Sequence, residues 1–336
     1  MIKESIKLLT QNVHLSEDQM VEAMNDIMSG QATDAQTASF LTALRMKGET
    51  IEEITGAARV MRGKATKINS PENTVDTCGT GGDMACTFNI STTAAIIVSA
   101  CGVPVAKHGN RSVSSSCGSA DILERLDVKI DLKPEKVEKC LEETGFGFMF
   151  APLFHPAIKH AIGPRKEMGI RTIFNILGPL TNPAGAKRQV LGVFSDDLTE
   201  TMAQVLLKLE TVHAFVVHSE DGLDEISNTG RTKVSELKDD KVSTYFMTPE
   251  EFGFSRATIE DLKGENAFEN ARITIAILKG EKGPKRDITV LNAAAALIAG
   301  NEAGDFKGSA EKVSEAIDSG RAMKKLEEIK EVSNKL

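Results

Sequence analysis

Residues 74–101 read TVDTCGTGGDMACTFNISTTAAIIVSAC, and this stretch indicates the fold class. A short β-prone run at 74–78 leads directly into a loop with three glycines in four residues, and an apolar helical pattern follows at 92–101. Similar runs alternate along the chain. Further strands are predicted at 103–106, 147–150, 190–194 and 214–218, and further helices at 120–126, 134–143 and 198–209. This alternation predicts an α/β domain with a mostly parallel central sheet flanked by helices.

The first 70 residues differ in texture and predict a small all-helical domain. Three capping boxes follow one another. In a capping box, a hydroxyl side chain and a longer side chain three residues later each form a hydrogen bond with the backbone N–H of the other residue. The three boxes are Ser16 with Gln19, Thr33 with Gln36, and Thr50 with Glu53. We therefore expect a helical domain at 1–70 and an α/β domain at 71–336. Near the end of the chain, 293–299 predicts a buried helix and 311–330 an amphipathic surface helix.

Composition excludes several classes of protein. The chain has 336 residues, of which 41% are apolar and 26% charged, and its net charge of −8 argues against broad nucleic-acid binding. Its five cysteines, an odd number without CxxC spacing, indicate free thiols in a reducing compartment. The N-terminus lacks a signal-peptide core, and the longest apolar run, near 94–100, is far shorter than the roughly 20 residues that span a bilayer. The sequence predicts a soluble, cytoplasmic protein without a membrane partner.

The loop at 78–83 is the first candidate site, because ligands of open α/β sheets bind at the carboxyl ends of strands. Its glycines allow backbone N–H groups to approach an anion. Asn89 and Ser91 then open a helix whose N-terminus supplies further N–H donors. The combination favours phosphate binding. The alternative is a plain glycine turn followed by a hydroxyl N-cap.

A second polar loop reads KHGNRSVSSS at 107–116 and follows the predicted strand at 103–106. Within thirteen residues it offers one lysine, one arginine and, with Ser119, five hydroxyl groups. Donors at this density suit a diphosphate or a phosphoribosyl group. The alternative is a serine-rich surface loop.

Two weaker signals come from other parts of the chain. One follows the strand predicted at 214–218, and the other precedes the strand predicted at 190–194. Asp224 and Glu225, in the loop 221–225, would suit Mg²⁺ beside a phosphate, although most such pairs are solvated acidic turns. Arg165 ends the run PLFHPAIKHAIGPR at 152–165, where it could clamp a substrate carboxylate or belong to a basic helix face. Residues 174–183, FNILGPLTNP, are predicted to be a connector.

Five motifs together resemble the anthranilate phosphoribosyltransferase family over nearly the whole chain. They are GTGGD at 79–83, NIST at 89–92, KHGNRSVSSS at 107–116, FNILGPLTNP at 174–183, and Asp224-Glu225 within GLDEIS. The resemblance implies transfer of phosphoribose from phosphoribosyl diphosphate (PRPP) to anthranilate in tryptophan biosynthesis, with Mg²⁺. It also implies a homodimer joined through the helical domain, to which residues of about 155–185 would add helices. Any anthranilate synthase partner would be a separate chain.

The resemblance also implies the site residues. PRPP contacts are expected at Gly79, Gly82, Asp83, Thr87, Asn89, Ile90, Ser91, Thr92, Lys107, His108, Gly109, Asn110, Arg111, Ser112, Val113, Ser114, Ser115 and Ser119. Metal ligands are expected at Ser91, Asp224 and Glu225. Anthranilate contacts are expected at Gly79, Asn110 and Arg165, with Pro152, His155 and Gly178 along the substrate channel. We expect the catalytic set to be Lys107, Asp224, Glu225 and Arg165, with no essential general base and His108 as the single candidate for one.

Two rival functions follow from the same motifs. A pyrimidine nucleoside phosphorylase shares this fold and would use inorganic phosphate and a nucleoside. FNILGPLTNP and Arg165 favour the anthranilate interpretation over it. A non-catalytic nucleic-acid binder on this fold would need basic surface stripes, which the net charge and the presence of Lys107, Asp224 and Glu225 disfavour.

Overall fold

The computed structural model describes residues 1–82, 86–112, 117–302 and 304–336. Over these ranges the chain forms one seven-stranded sheet with helices on both faces and a cluster of helices at the N-terminus. The strands are β1 Val75–Gly79, β2 Val105–Gly109, β3 Phe146–Phe150, β4 Arg188–Gly192, β5 His213–Ser219, β6 Thr232–Lys238 and β7 Lys241–Met247. The α/β fold class predicted from the sequence is confirmed.

The strand order creates a crevice at β1. The order is β3-β2-β1-β4-β5-β6-β7, and the first five strands in this order are parallel. Chain connections leave β1 toward β2 on one side, and β4 lies on the other side. At such a switch point the loops after neighbouring strands diverge, so the carboxyl ends of β1 and β4 border a natural ligand site.

The hairpin β6–β7 is not predicted by the sequence pattern. Its strands pair antiparallel with β5 and with each other. β7 forms the edge of the sheet, and the turn between the two strands is made by Asp239 and Asp240 at φ 50° and 58°. A two-residue hairpin turn usually contains glycine, which marks it in the sequence, but this turn contains none.

The N-terminal helices are α1 Ile2–Thr10, α2 Glu17–Met28, α3 Asp34–Lys47 and α4 Ile51–Lys64. Three of these four, α2 to α4, begin at the predicted capping boxes. All three capping boxes are present, with both hydrogen bonds formed in each. The Glu53 carboxylate has a further role, because it is fully buried and also accepts from Lys47 Nζ at 2.8 Å and from the Leu15 N–H at 2.9 Å.

The remaining helices pack on the sheet or extend the N-terminal cluster. They are α5 Ile90–Ala100, α6 Ser119–Arg125, α7 Pro134–Thr144, α8 Ala151–Phe154, α9 Lys159–Met168, α10 Phe174–Leu177, α11 Leu198–Lys208, α12 Ala267–Leu278, α13 Pro284–Ala299, α14 Phe306–Asp318 and α15 Arg321–Lys335. Helices α5 and α13 are almost wholly buried against one face of the sheet. Helix α11 covers the other face, and α9 packs against α2 and α3.

The C-terminal prediction of one helix over 311–330 is wrong. The chain instead forms α14 and α15, separated at Ser319 and Gly320. Gly320 has φ 78°, a left-handed conformation that stops a helix. Helix α12 was not predicted at all. All five cysteines are free thiols, and over the described ranges no helix is both long and apolar enough to cross a bilayer.

Candidate active site

The glycine loop after β1 lies directly against the acidic loop after β5. The Gly81 N–H donates to Asp224 Oδ2 at 2.9 Å. A Cβ atom on Gly79 would collide with the same carboxylate, and one on Gly192 would overlap the Asp224 backbone. The ends of β1 and β4 therefore need glycine because Asp224 packs over both of them. This contact brings the first and third predicted loops together.

Lys107 ties the second predicted loop to the same place. Lys107 and His108 lie within β2, where they pair with Phe148 and Met149 of β3, and so belong to the strand instead of the loop after it. The Lys107 side chain is only 2% exposed. Its Nζ donates to the Thr77 carbonyl and, at 3.3 Å, to Ser91 Oγ. Burial lowers the pKa of Lys107, while Asp76, Cys78 and Glu225 oppose that shift.

Glu225 contacts the start of α5. Its Oε1 accepts from the Ser91 backbone N–H at 3.2 Å, so a carboxylate, a hydroxyl and a buried ammonium meet at Ser91. A carboxylate is favourable there because the first N–H groups of a helix lack partners within the helix. The three predicted loops therefore converge on one edge of the sheet.

The other residues around the first turn of α5 have different environments. Asn89 precedes the helix without capping it. Its Oδ1 accepts from Asn270 Nδ2 at 3.0 Å, and its Nδ2 donates to the Cys117 carbonyl at 3.0 Å. Ile90 and Thr92 are each 1% exposed and face the core. Thr87 pairs with Lys263 in an isolated bridge, and the Gly82 carbonyl accepts from Arg171 at 2.5 Å. Contact of Ile90 or Thr92 with a ligand would therefore have to use the backbone.

Beyond β2, the described part of the second loop is anchored to α6. The Asn110 carbonyl accepts from Ser119 Oγ at 3.3 Å, and the Ser112 N–H donates to Asp121 at 3.0 Å. Arg111 pairs with Glu124 at 2.8 Å and with Asp121 at 3.0 Å, and these hydrogen bonds raise its pKa. A PRPP contact by Arg111 stays a prediction. It would require Arg111 to leave Glu124 and Asp121 and to pair with the ligand instead. Gly109 ends β2. The predicted contacts Asp83, Val113, Ser114 and Ser115 lie outside the described residues.

Arg165 on α9 is a cation without a carboxylate. Its guanidinium lies over the Phe174 ring, 4.9 Å from the centroid, and burial lowers its pKa. Over the described ranges, no side-chain oxygen lies within hydrogen-bonding distance of this group. A half-buried guanidinium without an anion is costly, so this position suits an incoming carboxylate.

Two buried histidines face each other between β2 and α8. The rings of His108 and His155 have centroids 4.9 Å apart, and burial is the main cause that lowers their pKa to about 3 and about 4. Both are therefore neutral at pH 7. The backbone of Gly178 opposes the pKa shift of His108, and the backbone of Thr181 opposes that of His155. Pro152 lies exposed on α8.

Comparisons with known proteins agree along the whole chain. The family described as "Glycosyl transferase family, a/b domain" matches residues 71–323, and "Glycosyl transferase family, helical bundle domain" matches 3–65. The anthranilate phosphoribosyltransferase of Acetivibrio thermocellus is 57% identical over 99% of this chain and 97% of that protein. The crystal structure of the same enzyme from Thermus thermophilus has a TM-score of 0.93 at 41% identity, covering 98% of this chain and 99% of the other. The chain belongs to the anthranilate phosphoribosyltransferase family.

A more distant member of the family has been solved with ligands. Anthranilate phosphoribosyltransferase from Saccharomyces cerevisiae, in complex with PRPP and Mg, has a TM-score of 0.92 at 29% identity. The match covers 100% of this chain and 98% of the yeast chain. The two-domain arrangement is therefore common to relatives of low sequence identity.

The segment FNILGPLTNP does more than connect, which corrects the prediction made from its sequence. It forms α10 and the 3₁₀ turn Gly178–Leu180. Asn182 then donates to the buried Asp76 carboxylate at 2.7 Å and to the Ala106 carbonyl at 2.8 Å. This family motif therefore fastens the α9–α10 region to β1 and β2. The Asn-Pro pair in the sequence signals a turn, but its partners are not visible there.

Proposed function

We propose that this protein transfers the 5-phosphoribosyl group of PRPP to the amine of anthranilate, releasing diphosphate, as a step of tryptophan biosynthesis. Membership of the family supports the reaction. The observation that carries the assignment of the site is the convergence of Lys107 and Glu225 on Ser91, with Asp224 packed on Gly79. We further propose that the predicted PRPP contacts along residues 79–92 and 107–119 surround this point.

Lys107 would stabilise the leaving group. The bond between ribose C1 and the diphosphate oxygen breaks with its electron pair passing to oxygen, so negative charge grows on the diphosphate while C1 becomes cationic. A buried ammonium held by Thr77 and Ser91 is already oriented and loses little on meeting that charge. The anthranilate nitrogen forms the new bond to C1 with inversion, and its surplus proton passes to water or to the departing diphosphate. It is neutral near pH 7, so orientation matters more than a strong base.

The residues at this edge fit Mg²⁺. Asp224 and Glu225 supply carboxylate oxygens and Ser91 a hydroxyl, which are the hard donors that Mg²⁺ prefers together with phosphate oxygens. The absence of a side chain at Gly79 leaves Asp224 room beside the glycine loop. When bound, the ion would neutralise charge on the diphosphate.

Arg165 would orient anthranilate through its carboxylate. Two parallel N–H donors match the two carboxylate oxygens, and the Phe174 ring lies against the guanidinium with its centroid 4.9 Å from Cζ. His108 and His155 are neutral at pH 7, so they would not compete with Arg165 for that carboxylate. We propose that they, with Pro152, Gly178 and Asn110, border the path of anthranilate. His108, with its low pKa, would be too weak a base to be essential.

A fluorescence assay tests the reaction. Anthranilate fluorescence should disappear when the purified protein is mixed with PRPP and Mg²⁺, and persist when any one component is omitted. Turnover of uridine with inorganic phosphate, and none of anthranilate, would instead establish the nucleoside phosphorylase. A salt-dependent mobility shift with DNA and no turnover of either substrate would favour the nucleic-acid binder.

We also propose a cytoplasmic homodimer joined through the helical domain, with anthranilate synthase as a separate chain. Large apolar side chains are exposed on this part of the molecule, including Met46 at 84%, Ile162 at 50% and Val13 at 43%. Exposed apolar side chains of this size on one region suit a protein interface. Sedimentation equilibrium should give twice the chain mass, and Met46→Glu should shift the equilibrium toward monomer. A wild-type protein that sediments as a monomer would contradict the proposal.

A further inference from the structure

Helix α12 packs behind the proposed PRPP site and directs two buried polar side chains toward α5. Asn270 is 1% exposed and Thr274 is fully buried. Both face the first turns of α5, where Asn89 and Thr93 lie. A buried polar side chain is costly unless its hydrogen bonds are satisfied, so these contacts constrain how the two helices meet.

Asn270 belongs to a directional chain of hydrogen bonds. The Glu265 backbone N–H donates to Asn270 Oδ1 at 2.9 Å, and Asn270 Nδ2 donates to Asn89 Oδ1 at 3.0 Å. Asn89 Nδ2 then donates to the Cys117 carbonyl at 3.0 Å. A backbone donor stands at one end and a backbone acceptor at the other, so neither amide can flip without breaking the chain.

This chain of bonds connects separate parts of the proposed site. Asn89 precedes α5 and follows the glycine loop, and Cys117 lies between the second polar loop and α6. The segment before α12 also contacts the residues that lead from the glycine loop into α5. The Gly264 N–H donates to the Cys86 carbonyl at 2.9 Å, and a Cβ on Gly264 would collide with Phe88 and with Asn270 Oδ1.

One turn further along, a second contact joins the same two helices. The hydroxyls of Thr93 and Thr274 are 2.8 Å apart. Two side-chain hydrogen bonds, four residues apart along each helix, therefore connect the α5 and α12 segments; we call each of them a rung. The Thr93–Thr274 rung involves neither polar loop. It offers a matched control, because it has the same helices, similar burial and one side-chain hydrogen bond.

We propose that Asn270 is a positioning residue for PRPP, a role that rests on the proposed function. It fixes the Asn89 amide and, through it, the separation between the start of α5 and the Cys117 end of the second loop. The pairings above use one N–H and one lone pair of Asn89. The remaining N–H and lone pair keep a defined direction for a sugar diphosphate.

The test compares Asn270→Asp with Thr274→Val. The aspartate variant keeps the acceptor for Glu265 but replaces the donor toward Asn89 by a second acceptor, which forces the Asn89 amide out of its orientation. We expect the PRPP Kd from calorimetry, and the KM for PRPP, to rise at least about tenfold, with the KM for anthranilate changed less than about twofold. In Thr274→Val both constants should stay within about twofold of wild type even if its Tm falls.

The outcomes separate the two ideas. PRPP affinity in Asn270→Asp within about twofold of wild type, or an equal loss in Thr274→Val, would overturn the positioning role. If Asn270→Asp does not fold, Asn270→Ser removes the reach to Asn89 with a smaller change in charge, and the same thresholds apply. A wild-type protein that binds no PRPP would refute the proposed function itself.

Discussion

The Asp224 carboxylate occupies the space that any side chain at Gly79 would need. The two residues lie at the end of β1 and after β5, and the Gly81 N–H holds the carboxylate in place at 2.9 Å. Substitution Gly79→Ala must therefore displace Asp224. We expect kcat/KM for PRPP to fall by about 100-fold, which corresponds to about 2.7 kcal/mol of transition-state stabilisation. Steady-state kinetics at saturating Mg²⁺ measures this loss.

The matched control for that substitution is Gly63→Ala. Gly63 lies on the exposed side of α4, and a Cβ there meets open space. Alanine is a better helix former than glycine by up to about 1 kcal/mol, so the variant should be slightly more stable and equally active. Wild-type kinetics in Gly79→Ala would show that the position of Asp224 does not matter for turnover.

The double substitution Asp224→Asn with Glu225→Gln should weaken the dependence on Mg²⁺. The amides can still accept from Gly81 and Ser91 but carry no charge, so an oxygen-binding divalent cation loses its two carboxylates. We expect the Mg²⁺ concentration for half-maximal rate to rise at least about tenfold. Titration of the initial rate with Mg²⁺ provides the measurement.

Asp221→Asn in the same acidic loop is the control for this titration. Asp221 accepts from Ser227 Oγ at 2.6 Å and from the Leu223 N–H at 3.0 Å, which closes its own turn. Its loss should affect stability and leave the Mg²⁺ titration unchanged. An unchanged titration in the double variant would remove Asp224 and Glu225 from the metal site.

Local signals in the sequence were sufficient for much of the fold. Each capping box involves residues three positions apart, so Ser16, Thr33 and Thr50 mark their helices without reference to the rest of the chain. The alternation of strands and helices likewise predicted the parallel sheet. The β6–β7 hairpin was missed because Asp239 and Asp240 take positive φ values without glycine.

Contacts over long sequence separations could not be predicted in the same way. Asn182 bonds Asp76 across 106 positions, and Asn270 bonds Asn89 across 181. The spacing of these residues in the sequence does not predict either pair, and the sequence pattern did not predict α12. The convergence of the predicted loops was accessible because parallel strands end at one edge, whereas the side chains that hold the loops there depend on tertiary packing.

Arg165→Ala should affect anthranilate and spare PRPP. Loss of a two-bond contact between a guanidinium and a carboxylate costs about 1.5–3 kcal/mol, so the KM for anthranilate should rise about 10- to 100-fold. Arg165→Lys keeps the charge but not the planar pair of donors. Its KM for anthranilate should lie between those of the wild type and Arg165→Ala. Collapse of PRPP binding with little change in the anthranilate KM would contradict the clamp.

His155 should make the protein less stable as the pH falls below about 6.5. Burial lowers its folded-state pKa from 6.5 to about 4, so the unfolded chain takes up a proton at a higher pH than the folded one. The free energy of unfolding therefore decreases between about pH 6.5 and pH 4, by about 2 kcal/mol at pH 5 from this group alone. Urea unfolding of wild type and His155→Gln at pH 7 and pH 5 should show a smaller decrease in the variant. The exposed His14→Gln is the control, and an equal decrease in His155→Gln and wild type would contradict the prediction.

Asn182→Ala should destabilise the fold more than its size suggests. The substitution removes the donor to the Asp76 carboxylate, which is 1% exposed, and to the Ala106 carbonyl. Each buried acceptor left without a partner costs about 1–3 kcal/mol, so we expect the free energy of unfolding to fall by about 2–4 kcal/mol. Asn334→Ala, which removes an exposed bond to the Asp127 carbonyl, should cost less than about 1 kcal/mol. Equal midpoints of urea unfolding for the two variants would mean that Asn182 does not fasten the α9–α10 region to the sheet.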